Sequence, residues 1–73
     1  MQLQVGQRIR LLINGEAVAT EAVTLAELVA SLGHGEGAVA TARNGEFVPR
    51  SARGETKLAP DDRIEIVAPR QGG

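Results

Sequence analysis

The sequence predicts an α+β roll, a mixed four- to five-stranded sheet with one helix packed on one face. Three observations predict it. Two Asn-Gly pairs, at 14–15 and 44–45, each separate strand-like runs. The stretch TLAELVASLG, residues 24–33, carries a helical stripe with its own start and stop signals. The alternating run RIEIVA, residues 63–68, comes last before a tail that ends in Gly-Gly. A single helix has to cover the sheet, because no other stretch offers an apolar face to do so.

Each element follows from local chemistry. Asn-Gly is the strongest short hairpin signal, since both central residues of a type I′ turn need positive φ. Before the first pair, Ile9, Leu11 and Ile13 alternate with Arg8, Arg10 and Leu12, the pattern of a half-buried strand. After it, EAVATEA places Val18 and Thr20 on one face, completing a first antiparallel hairpin. In the helix, Thr24 stands three residues ahead of Glu27, the spacing of a capping box. Val23 and Leu28 occupy the positions of a hydrophobic staple. Leu25, Leu28, Val29 and Leu32 form the buried stripe of about three turns, and Gly33 suits the residue just past the end.

GHGEG, residues 33–37, then reads as a loop. It is no phosphate cradle, because it leaves a helix rather than opening one and no Lys-Ser/Thr follows. Around the second Asn-Gly, Val39 and Thr41 alternate with Ala38, Ala40 and Ala42, and Phe47 and Val48 read as core residues. Pro49 belongs at a strand end or edge. SARGETKLAPDD reads as irregular, anchored by Leu58 and closed by a Pro-Asp-Asp turn. Ile64 and Ile66 put one face of the closing strand into the core. Laid beside the first strand, that strand would tie the two ends of the chain together.

The composition narrows the function classes. Seventy-three residues, 42% of them hydrophobic, make one domain over residues 1–73, with residues 69–73 as a flexible tail. Eleven alanines, one Phe and no Trp or Tyr give a thin aliphatic core. Eight basic and nine acidic residues alternate in sign, with net charge -1, so a basic footprint for nucleic acid is missing. No apolar run is long enough to span a membrane. The start, MQLQVGQRIR, has neither the charged nor the apolar region of a secretory signal, which makes a cytoplasmic protein the expectation. Without cysteine there is no disulfide, thiolate metal site or thiol nucleophile. The lone His34, between Gly33 and Gly35, reads as a loop residue, because a metal site or triad needs partners it lacks. No nucleophile, base and orienting group occur together, so no catalytic residue and no enzyme activity are expected.

Several pieces of wording carry a resemblance. They are LLINGE at 11–16, the helix at 24–33, Asn44-Gly45-Glu46, Val48-Pro49-Arg50-Ser51, Thr56, Leu58, residues 62–67 and the final Gly72-Gly73. Together they resemble the ThiS family of sulfur carriers, whose fold is the ubiquitin-like β-grasp, over roughly residues 9–73. Val-Pro-Arg-Ser joined to a Gly-Gly ending is the specific part. Four places depart from the family pattern. Ala52-Arg53 stand where the family often has Glu-Trp, and Pro60-Asp61-Asp62 replaces the usual Asp-Gly-Asp turn. Thr41 and Arg43 occupy strand positions that tend to be apolar.

The resemblance implies a carrier of activated sulfur for thiazole formation in thiamine biosynthesis. The Gly73 carboxylate would be adenylated by an E1-like, ThiF-type adenylyltransferase, with ATP and magnesium belonging to that partner and no cofactor bound here. A persulfide sulfur donor would convert it to a thiocarboxylate, and a ThiG-type thiazole synthase would accept the sulfur. Pro69, Arg70, Gln71 and Gly72 would thread the partner's active site. Bottom-up chemistry agrees. A carboxylate is a poor electrophile until an oxygen becomes a leaving group, and glycines without Cβ fit a narrow channel. The alternatives are a MoaD-like carrier for molybdopterin or another pathway, and a ubiquitin-like modifier or binding module with an idle, frayed tail.

Overall fold

The computed structural model describes residues 7–35 and 38–68. Five strands, β1 (Ile9–Ile13), β2 (Glu16–Thr20), β3 (Ala40–Arg43), β4 (Glu46–Val48) and β5 (Arg63–Val67), form one sheet in the order β2-β1-β5-β3-β4. The central β1–β5 pairing is parallel, while β1–β2, β3–β5 and β3–β4 are antiparallel. The sheet is thus mixed, and the closing strand does lie beside the first. One α-helix, α1 (Leu25–Ser31), contributes Leu25, Leu28 and Val29 to a core shared with Leu11, Ile13, Val39, Val48, Ile64 and Ile66. Alternation along the strands selects these residues: β1 buries Leu11 and Ile13, and β5 buries Ile64 and Ile66. Ile9, Val18 and Leu58 pack against the rim of that core.

Both Asn-Gly pairs form the expected two-residue turns. Asn14 and Gly15 have φ of 51° and 88°, Asn44 and Gly45 of 52° and 88°. Each asparagine also does something the turn alone does not require. Asn14 Nδ2 donates to the Ile66 carbonyl at 3.1 Å, and its Oδ1 accepts the Ile66 N–H at 2.9 Å. Asn44 Oδ1 accepts the Arg63 N–H at 2.8 Å. The two hairpin turns therefore grip β5 from both sides, one near its start and one near its end.

The helix differs from expectation in three respects. It has seven residues, about two turns. Its end is the expected one: Gly33 turns to φ 87° just past the C-cap and closes the helix with bonds from Gly33 N–H to the Ala30 carbonyl (3.0 Å) and from His34 N–H to the Val29 carbonyl (3.3 Å). Leu32 consequently caps the helix and remains exposed rather than extending the buried stripe. The cap is reciprocal but shifted. Thr24 Oγ1 accepts the Glu27 N–H at 3.2 Å, whereas Glu27 Oε1 reaches the N–H of Val23, at 2.8 Å. Val23 is exposed and forms no staple. It lies in an extended stretch bonded to residues 56–58, where its carbonyl accepts the Leu58 N–H at 2.8 Å and alternation turns Ala22 inward instead.

The stretch after Pro49 also differs. Arg50–Glu55 forms a 3₁₀ helix, not an irregular loop. The departures from the family pattern explain it, because they contact one another. Arg53 is only 4% exposed, and its Nε donates to Thr41 Oγ1 at 3.1 Å and its NH2 to the Val39 carbonyl at 2.6 Å. The Thr41 hydroxyl in turn donates to the Val48 carbonyl at 2.8 Å. A polar Thr41 is buried at no loss because Arg53 meets it, consistent with the rule that buried polar groups are hydrogen-bonded. Arg43 and the Pro60-Asp61-Asp62 turn form a second such pair. Asp61 takes φ 69°, a glycine-like position, and Asp62 is buried. Asp62 accepts Arg43 Nε at 2.8 Å, Asn44 Nδ2 at 3.0 Å and the Ala59 N–H at 2.9 Å. Burial pushes its carboxyl up, but these three bonds and the Arg43 charge outweigh burial and hold it below the ordinary aspartate value.

Candidate functional site

The residues expected to carry the chemistry, Pro69, Arg70, Gln71, Gly72 and Gly73, lie outside the described residues. The structure instead shows what holds their root. Ala68 directly follows β5, whose last residue, Val67, pairs with Ala40 at the start of β3. Thr41 in turn pairs with Val48 at the end of β4. The end of β5, the start of β3 and the end of β4 therefore share one edge of the sheet. The bidentate Asn14–Ile66 contact and the β3 ladder secure the last turnable residues of β5 on both flanks.

Two surfaces border that edge. The first is the sheet face turned away from α1. Phe47 is 69% exposed and Val67 59% exposed. In register, Phe47 lies opposite Ala42, and Val67 opposite Ala40, so the four make one apolar patch across β4, β3 and β5. Leu12 adds a smaller apolar spot, paired across to Arg63. An exposed apolar patch of this kind marks an interaction surface. Phe47 was read from the sequence as core, and the structure corrects that. The signal was present: a two-residue turn at 44–45 fixes Thr41 opposite Val48. Val48 must then share the inward face of Thr41, and Phe47 the outward face of Ala42.

The second surface is a cleft of about 240 Å³ between α1 and the 3₁₀ helix. Ala26 and Ala30 form its apolar wall, and Val29 its base. His34, Arg50, Ser51 and Arg53 supply the polar side. His34 is half-buried here, a placement that its loop position just after the helix did not disclose.

Among the described residues no group of three or more His, Cys, Asp or Glu side chains is placed to hold a metal ion. Among them, too, no helix is long and apolar enough to cross a membrane.

A model of the ThiS family matches residues 5–73. The fold is similar to the crystal structure of a thiamine biosynthesis protein (ThiS) from Geobacter metallireducens, at 25% identity and a TM-score of 0.75, covering 89% of this chain and 100% of that one. It is similar as well to an NMR solution structure of a thiamine biosynthesis protein from Geobacter metallireducens, at 25% identity and a TM-score of 0.76, covering 89% of this chain and 88% of that one. The comparison with curated proteins finds no match.

Proposed function

The chain belongs to the ThiS family, and from that premise we propose that it carries sulfur for thiazole formation in thiamine biosynthesis on the carboxylate of Gly73. The observation that carries the reading is the extent of the family match, which runs to residue 73 and so takes in the Gly72-Gly73 pair. The crystal and NMR structures named above are both of a thiamine biosynthesis protein from Geobacter metallireducens, which favours this pathway over other sulfur-carrier pathways.

The chemistry proceeds in the partner's site. An E1-like adenylyltransferase uses magnesium and ATP to join AMP to the Gly73 carboxylate, releasing pyrophosphate and making the acyl carbon electrophilic. The terminal sulfur of a persulfide attacks that carbon and AMP leaves. A thiol then cleaves the resulting disulfide, and the thiocarboxylate remains on Gly73. A thiazole synthase draws the sulfur from it. This chain contributes delivery, not catalysis. Gly72 and Gly73, without Cβ, suit a channel too narrow for side chains, and Pro69 has no N–H to offer a strand partner. The reacting carbon is shielded from water only when the partner encloses it. The apolar patch of Phe47, Ala42, Ala40 and Val67 is the surface on which such a partner would seat.

The test is an intact mass of the chain after incubation with ATP, the activating enzyme and a persulfide source, against the same mixture lacking ATP. A gain equal to one oxygen exchanged for one sulfur, mapped to the Gly73 peptide, is expected. An unaltered Gly73 in the presence of partners that activate another ThiS-family chain would overturn the reading.

A further inference from the structure

We propose that the cleft between α1 and the 3₁₀ helix receives a carboxylate, presented by an Asp or Glu side chain of the enzyme that activates the tail. The second half of this statement rests on the carrier reading above; the first does not.

The cleft has the chemistry of an anion receptor. Arg8, Arg10 and Arg43 each pair with an acid, Glu21, Asp61 and Asp62 respectively. Arg50, Lys57 and Arg63 have no ion pair among the described residues, and of these only Arg50 lines this cleft. The side chains of Ser51 and His34 have no hydrogen-bond partner among the described residues either, and both line the same cleft. Arg53 adds an obligatory positive charge at its buried side. No acidic residue contributes to the lining. A guanidinium, a hydroxyl and an imidazole therefore converge on one space with no acidic side chain among the described residues lining it.

The apolar wall and the size narrow the ligand. A free inorganic anion would leave the methyls of Ala26 and Ala30 unmatched. A carboxylate on a short methylene stem satisfies both sides, as planar oxyanions suit an arginine fork. At about 240 Å³ the space falls below the roughly 300–1,000 Å³ that drug-sized ligands occupy, so one side chain fits better than a nucleotide. Position names the presenter. Arg50 and Ser51 follow directly on Val48-Pro49, and Arg53 bonds the Val39 carbonyl, at the sheet edge where β5 ends. A partner that takes up the tail at this edge comes within reach of the cleft.

Two measurements decide it. The full chain is titrated with N-acetylglutamate, followed by ¹H–¹⁵N spectra, with potassium chloride at matched ionic strength as reference. Saturable shifts at the Ser51 amide, the Arg50 side-chain N–H and His34 are expected, and they vanish in Arg50→Glu. Equal shifts in Arg50→Glu, or none in the wild type, overturn the carboxylate site. Inorganic phosphate that saturates the same signals at lower concentration also overturns it, in favour of phosphate.

The second measurement is pyrophosphate release by the activating enzyme at varied concentrations of this chain. Arg50→Glu is expected to raise KM about tenfold at low salt with kcat unchanged, Arg50→Lys to recover most of the loss, and Lys57→Glu, outside the cleft lining, to have little effect. An unaltered KM in Arg50→Glu overturns the partner contact while leaving the carrier reading intact. A wild-type chain that is never activated overturns the carrier reading and the partner contact, and the N-acetylglutamate titration still decides the cleft.

Discussion

Asp62 shows how a single side chain can hold a strand start. It is buried, yet it accepts three hydrogen bonds, from Arg43, Asn44 and Ala59. Its carboxyl sits below the ordinary value, so the unfolded chain, near the usual 3.9 or so, takes up a proton more readily than the folded one. The stability this contributes is complete above about pH 4 and is lost as the pH falls through the unfolded and then the folded value. Asp62→Asn keeps the shape but forfeits the charge. It should cost about 1–2 kcal/mol at neutral pH, less than a fully buried pair because Arg43 remains partly exposed. It should also flatten the fall in stability as the pH drops below about 4. Urea unfolding at several pH values checks both, and an acid slope identical to that of the wild type would refute the account. The sequence offered the Pro-Asp-Asp turn but not this role, since Arg43 is 19 positions away along the chain.

At the scale of elements, local signals were legible and long-range ones only in part. Each hairpin, the helix start and the helix stop were readable because their determinants lie within a few residues: positive φ at Asn-Gly, Thr24 with Glu27, Gly33. What was not readable depended on contacts between distant segments. The 3₁₀ helix at Arg50–Glu55 is fixed by Arg53 reaching Thr41 and Val39. The exposure of Val23 follows from its pairing with Leu58. Glu27 bonds Val23 rather than Thr24 because the chain before the cap is extended along residues 56–58. The cap itself permits a quantitative expectation. Thr24→Ala removes the acceptor for the Glu27 N–H and should cost about 1 kcal/mol. For a chain of this size that is a drop of roughly 4–8 °C in Tm. A superimposable thermal melt would show that the Thr24 hydroxyl contributes nothing to holding the first turn of α1.

At the scale of the molecule, the proposed function divides the chain into a stable sheet and a delivering tail. β5 lies second from neither edge but in the middle of the sheet, with β1 on one side and β3 on the other. Its pairing is complete at Val67, and the Asn14 contact engages Ile66. Among the described residues, Ile64 and Ile66 of β5 are the last to enter the core. The family wording raised an expectation for the tail, whereas the surfaces beside it were not legible, because they arise from strand pairing that sets Phe47 opposite Ala42 and Val67 opposite Ala40, and from the 3₁₀ helix lying beside α1. Deleting Gly73 should therefore leave the melting temperature unchanged. It should abolish thiocarboxylate formation, although another glycine becomes the terminus. The new carboxyl carbon falls short by one residue, about 3.5 Å of extended chain, and misplacement of a reacting atom by even about 1 Å can cost roughly a hundredfold in rate. Adding one alanine after Gly73 should fail for the converse reason, by carrying the carboxylate past the site and placing a Cβ in the channel. Thermal melts, together with intact mass after activation, test the division. A shortened chain that melted early would mean that the tail also supports the fold, and one that still acquired sulfur would mean that Gly73 is not where the sulfur rides.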